Sequence, residues 1–164
     1  MIQKYCADTS ALFDLKGYWA MATFPSVWRN MAALVEAGRL LAPYAVLEEI
    51  RRGDDELVEW ADSHRHMFRA TDQTLLDKVK EVLRQFPDLV DPLKEDEDAD
   101  PYVVAQAILE VEGQTDLLAE PATCGVVTQE HRRLGRTRIP HACSHYGIEC
   151  FDFRELFKRE NWQF

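Results

Sequence analysis

From its amino end the chain alternates between two hydrophobic rhythms. IQKYCA (2–7) is a short strand candidate, and DTSALFDL (8–15) follows with the Asp/Thr/Ser opening and apolar spacing of a helix start. The spacing predicts a second helix over FPSVWRNMAALVEAG, with Pro25 and Ser26 at its start, Val27, Met31, Leu34 and Val35 on one face, and Gly38 as its stop. RLLAP reads as a short strand. YAVLEEIRRG reads as a helix ending at Gly53, with Val46, Leu47 and Ile50 turned inward, and DDELVEWADSHR resumes helix after a break. A further helix, DQTLLDKVKEVLRQF (72–86), is bounded by Pro87.

In the second half, Val103, Val104, Ala107, Ile108 and Val111 recur at helical spacing, which predicts a helix over 100–112 lying amphipathically on the core. CGVVTQE (124–130) suits a buried strand, IPHACSHYG a helical turn or short helix, IECFD a strand and FRELFKR a last helix. Strands alternating with helices predict an α/β fold with a mainly parallel central sheet covered on both faces. Ligands of such sheets bind outside the carboxyl ends of the strands.

Composition narrows this picture. With 164 residues, 46% of them hydrophobic, the chain suits a single domain spanning 1–164. Apolar runs are short, and MIQKYCADTS lacks the basic and apolar regions of a signal peptide, so we expect a cytosolic protein with no membrane partner. Cys6, Cys124, Cys143 and Cys150 form no C-x-x-C and fit reduced, packed thiols. A net charge of −10 argues against coating nucleic acid by bulk electrostatics. It leaves room for a local basic strip. HRRLGRTR (131–138) holds four arginines and no acid.

Acid is densest in DPLKEDEDAD, with six carboxylates between Asp91 and Asp100. Such a run is commonly a solvated loop. Four acids nevertheless fall where chemistry is expected. Asp8 ends the first strand and equally suits a helix cap. Glu49 borders the buried face of its helix, whereas Glu48 is turned about 100° away, toward pairing with Arg51 or Arg52; solvated pairing is open to Glu49 as well. Asp100 precedes Pro101 as a natural N-cap, yet it also begins the buried stripe. Glu130 ends VVTQE, two residues after Thr128, and taken singly is an ordinary loop acid. Converging carboxylates repel and are held together best by a hard cation such as Mg²⁺ or Mn²⁺. One such ion activates a water; a second would stabilise the departing oxygen of a phosphodiester.

YCADTSAL, PYAVLEEI, DADPYVVAQA and GVVTQE, in this order, resemble the blocks of the PIN-domain superfamily. Its VapC-like members are metal-dependent ribonucleases, commonly toxins of toxin–antitoxin pairs. The tail RIPHACSHYGIECFDFRELFKRENWQF, with EEIRRGDDELVEWA, resembles a less characterised branch of small stand-alone bacterial PIN proteins. The resemblance implies a three-layer sandwich. It also implies a metal-dependent endoribonuclease in which Asp8, Glu49, Asp100 and Glu130 serve as catalytic metal ligands, with Asp98 and Asp116 in reserve. Many relatives carry Asp where this chain has Glu130. Ser10 matches the small polar residue that helps hold the first carboxylate, and Thr128 stands beside it as support. The implied partners are RNA and a protein antitoxin, with a homodimer allowed. The rival reading is a PIN-like scaffold without catalysis that binds a partner.

Other constellations compete. His141, Cys143, His145 and Cys150 invite a zinc reading, but no second tight pair accompanies them, and the cysteines fit core positions. His64, His66, Arg65 and Arg69 suit a solvated face. Tyr18, Trp19 and Trp28 suit either core packing or base stacking. His131, Arg132, Arg133, Arg136 and Arg138 follow Glu130 directly; beside a metal edge these arginines would contact RNA phosphates, and otherwise they serve solubility.

Overall fold

The computed structural model describes residues 1–53, 55–114, 117–130 and 138–164. Along the chain run β1 (Ile2–Ala7), α1 (Thr9–Tyr18), α2 (Pro25–Glu36), β2 (Leu40–Pro43), α3 (Tyr44–Arg51), α4 (Asp55–Ser63) and β3 (Phe68–Arg69). They continue with α5 (Gln73–Gln85), α6 (Asp100–Glu112), β4 (Ala122–Val127), α7 (Ile139–His145), β5 (Cys150–Phe151) and α8 (Phe153–Arg159). The sheet order is β3-β2-β1-β4-β5, and every pairing is parallel. Helices flank this sheet, giving the α/β arrangement expected of a PIN-like three-layer sandwich. No helix among the described residues is long and apolar enough to cross a membrane.

Local chemistry explains the boundaries. Asp72 caps α5 by accepting from the Leu75 amide at 2.9 Å, and Asp152 caps α8 by accepting from Glu155 at 2.9 Å. Gly38 ends the α2 turn at φ 67°, a left-handed backbone that glycine adopts without cost from a Cβ. The faces predicted for α2 and α3 are inward: Met31, Val46, Leu47 and Ile50 are fully buried.

Two expectations are corrected. Helix α6 is buried all round from Pro101 to Ile108 rather than amphipathic along its length, because it packs on α5 and against β1, β2 and β4. Val111, assigned to the core stripe, lies past this sandwiched part and is 43% exposed. The edge strand β3 leaves no mark in the sequence pattern, since two residues carry no alternation.

Strand β1 is central, with β2 on one side and β4 on the other. The chain first builds outward through β2 and β3, then crosses back through α5 and α6 to β4. The order reverses between β1 and β4, so a crevice opens beyond their carboxyl ends. The β1–β4 ladder runs from Ile2↔Ala122 to Ala7↔Val127, and one more bond, from the Asp8 amide to the Val127 carbonyl at 2.9 Å, extends it. Asp8 and Thr128 are thus the first residues beyond the paired strands.

Candidate metal and catalytic site

Beyond those strand ends lies a pocket of about 300 Å³ lined by Asp8, Ser10, Glu49, Asp98, Asp100 and Glu130, together with Thr9, Phe13, Lys94 and Arg138. Larger hollows of about 440 and 570 Å³ open around Gln3, near the amino ends of β1 and β4, but their lining mixes apolar groups with acids already paired to cations. Converging buried acids single out the smaller one.

Asp8 is 2% exposed. It occupies the N-cap position of α1 yet makes no capping bond. Its Oδ2 instead accepts from the Ser10 hydroxyl at 2.6 Å and the Thr128 hydroxyl at 3.0 Å. Ser10 also accepts from the Gln129 amide at 3.3 Å, and Thr128 from the Glu130 amide at 3.1 Å, so both hydroxyls are oriented toward the carboxylate. Burial raises the Asp8 carboxyl to about 6, and the charges of Glu130 and Glu49 push the same way against the two hydroxyl donors.

The N-terminus of α6 is organised differently from the sequence expectation. Asp100 is the first helical residue and Ala99 holds the cap position, so Asp100 is not the N-cap. Exposed amides there are taken by neighbours: Glu49 Oε1 accepts from Ala99 at 2.9 Å, and Asp98 Oδ1 from Asp100 at 3.2 Å. This leaves the Asp100 carboxyl facing the other acids. Burial, then the charges of Asp8, Asp98 and Glu130, raise it to about 9. In the absence of a cation this carboxyl keeps its proton at neutral pH.

Glu130 is tied down on its far side. Oε2 accepts from the Ile139 amide at 3.0 Å and Oε1 from Arg138 Nη1 at 3.3 Å. Its neutralising partner therefore comes from the basic segment itself. Asp116, Arg132, Arg133 and Arg136 lie outside the described residues, as does His131.

The structure brings Asp8, Glu49, Asp100 and Glu130 to one pocket, and it adds Asp98, which is 3% exposed despite sitting in the acidic run. Sequence reasoning missed Lys94 and Thr9. Lys94 is the one cation in DPLKEDEDAD and so left a legible signal. Thr9 left none; its hydroxyl is buried without a hydrogen-bond partner among the described residues. Among the described residues the Glu48 carboxylate does not pair with the arginines as expected: Arg51 pairs with Asp62 and Arg52 with Asp96, each at 2.8 Å, because α4 and the acidic loop approach α3 there, and Arg52 Nε reaches only the Glu48 carbonyl, at 3.3 Å. Cys143 is buried and Cys150 half-buried. Trp28 is core, whereas Tyr18 is 72% exposed.

As a donor set the pocket offers carboxylate oxygens, two of whose pKa values are raised by burial and then by the charges of neighbouring acids, which is the chemistry that suits Mg²⁺ or Mn²⁺. Among the described residues, no three acid, thiol or imidazole groups already stand as a ligand set. Loading would require the side chains to close in. Donor type fits; donor spacing is that of an open pocket.

The family model that matches this chain covers residues 5–164, from the middle of β1 to the last residue. The chain belongs to the DUF4411 family, described as a domain of unknown function. The pocket acids all lie within the matched span. Comparison with curated proteins and with solved structures gives no match.

Proposed function

We propose that this DUF4411 protein is a divalent-metal-dependent endoribonuclease of PIN type, restrained by a protein antitoxin. What carries the reading is the meeting of Asp8, Glu49, Asp100 and Glu130, acids from four separate parts of the chain, at the carboxyl ends of β1 and β4. Asp8, Asp98, Asp100, Glu49 and Glu130 are the residues that would hold Mg²⁺ or Mn²⁺. Such an ion supplies positive charge that activates a water and offsets charge on phosphate oxygens. The chain's own part is orientation and proton handling. Ser10 and Thr128 fix Asp8, the Ala99 amide fixes Glu49, and the raised Asp100 carboxyl is the group that would exchange its proton for a bound cation. Arg138 neutralises Glu130 at the pocket wall, where an anionic substrate would otherwise be repelled.

The test is cleavage of labelled single-stranded RNA by metal-stripped protein with and without Mn²⁺. Wild type should cleave only with the ion, and Asp100→Asn should not. Retained cleavage in that variant, or cleavage in chelator, would remove the reading. Expression in a bacterial host should arrest growth for wild type and not for Asp100→Asn. One observation favours the rival, a partner-binding scaffold without catalysis: Lys94 and Arg138 already stand against three of the acids. Mn²⁺ binding without cleavage of any RNA would select that reading.

A further inference from the structure

Lys94 lies within the acidic run, yet its ammonium turns back into the pocket. Nζ stands 3.9 Å from Glu49 Oε1 and 3.6 Å from Asp98 Oδ2. Both separations exceed hydrogen-bonding distance, so the attraction is chiefly that of charge. Glu49 and Asp98 are the two acids that also bind the α6 amides, and their side chains are 17% and 2% exposed, whereas that of Lys94 is 49% exposed. The loop around it is fastened independently: Asp96 pairs with Arg52 at 2.8 Å, and Glu97 accepts from the Tyr102 hydroxyl. Rotation of the lysine stem alone would therefore withdraw the charge, with no rearrangement of the loop.

Resting on the reading that this pocket takes a divalent ion, we infer that Lys94 is its resident counter-cation. It offsets the charge of Glu49 and Asp98 while no ion is bound, and it must leave them for an ion to enter. A monovalent point charge on a flexible stem can do this and be displaced, whereas a bidentate arginine would hold a carboxylate more firmly. The consequence is a threshold: the protein loads only where divalent ion is abundant enough to displace its own lysine.

The test is calorimetric titration of Mn²⁺ into metal-stripped wild type, Lys94→Gln and Lys94→Arg, with thermal unfolding of each in chelator and at saturating Mn²⁺. Lys94→Gln should bind Mn²⁺ about fivefold more tightly, the size expected for a partly exposed ion pair, and Lys94→Arg should stay at or below wild-type affinity. In chelator Lys94→Gln should melt below wild type, and saturating Mn²⁺ should close that gap. Equal or weaker Mn²⁺ binding by Lys94→Gln, with wild type still binding, would overturn the counter-cation role and leave the metal reading standing. Absence of Mn²⁺ binding in all three proteins would overturn the metal reading, and this inference with it.

Discussion

Two groups of carboxylates lie at opposite ends of β1, and the protein treats them in opposite ways. Near the amino end, Glu160 accepts from Arg39 Nη1 at 2.8 Å and from the Tyr5 hydroxyl, while Arg39 also donates to the Gln3 carbonyl at 2.9 Å. Those donors hold the Glu160 carboxyl below its ordinary value despite the opposing effect of burial. At the carboxyl end, Asp8 and Asp100 are raised to about 6 and about 9, because burial and neighbouring acids outweigh the available donors. The first cluster is complete in itself and fastens the end of α8 to central strand β1 and to the residue before β2. Among the described residues the second has fewer cations than acids, which is the imbalance the proposed metal ion would offset.

The sharpest way to break the contrast is to neutralise one acid at each end. Asp100→Asn should cost the proposed nuclease activity about a hundredfold or more, since it removes a ligand charge rather than an outer contact. Urea unfolding in chelator should show the same variant as stable as wild type or more so. Glu160→Gln should behave inversely, losing about 1–3 kcal/mol of stability as Arg39 is left half-satisfied, with activity per folded molecule unchanged. If both substitutions destabilise equally, the two clusters are alike and the site reading loses its physical basis.

The pH dependence sharpens the comparison further. A carboxyl raised from 3.8 to about 9 binds its proton more tightly in the folded state, so its contribution is full below about pH 4 and lost as pH climbs through about 9. Metal-free wild type should therefore lose stability relative to Asp100→Asn across that window. Glu160, lowered from 4.5, contributes above that value and loses its contribution as pH falls through the folded value. Wild type should thus lose stability relative to Glu160→Gln only on acidification. Melting curves at half-unit pH steps would show opposite slopes for the two differences. On the proposed metal reading, saturating Mn²⁺ should flatten the first and leave the second alone, since an ion held at Asp100 would compete with its proton.

How much of this was legible in the chain varies with the kind of signal. Helices α2, α3 and α5 carry clear apolar periods and end two residues before Gly38, Gly53 and Pro87, so pattern and breaker agree. The edge strands β3 and β5 have two residues each; the first left no pattern at all and the second was read too long. Asp8 and Glu130 could be placed because a strand end precedes each. Asp100 could be placed at the start of its helix and among the site acids, but its expected cap role is taken elsewhere, because which residue holds the cap depends on Asp98 and Glu49 reaching the α6 amides from two residues away and from another helix. Such long-range competition for a backbone group leaves no trace in local spacing.

The smallest effect concerns Thr9, whose hydroxyl lacks a partner among the described residues of the pocket wall. Thr9→Val should change stability by no more than about 1 kcal/mol, toward gain, since it removes an unsatisfied polar group. A larger loss would mean that the hydroxyl has a partner, such as an ordered water shared with the Asp8 cluster.

The brevity of β3 and β5 bears on how the molecule keeps its own company. Each margin of the sheet offers only a two-residue segment, so a neighbouring molecule finds almost no ladder of amides on which to dock a strand. The longer strands IQKYCA and ATCGVV lie interior: they pair with each other along their full length, and β2 and β5 cover their other flanks at Tyr5–Cys6 and Val126–Val127. Association through sheet extension is thereby suppressed while the chain is folded, and the hazard is confined to unfolding conditions that release β1 and β4 together.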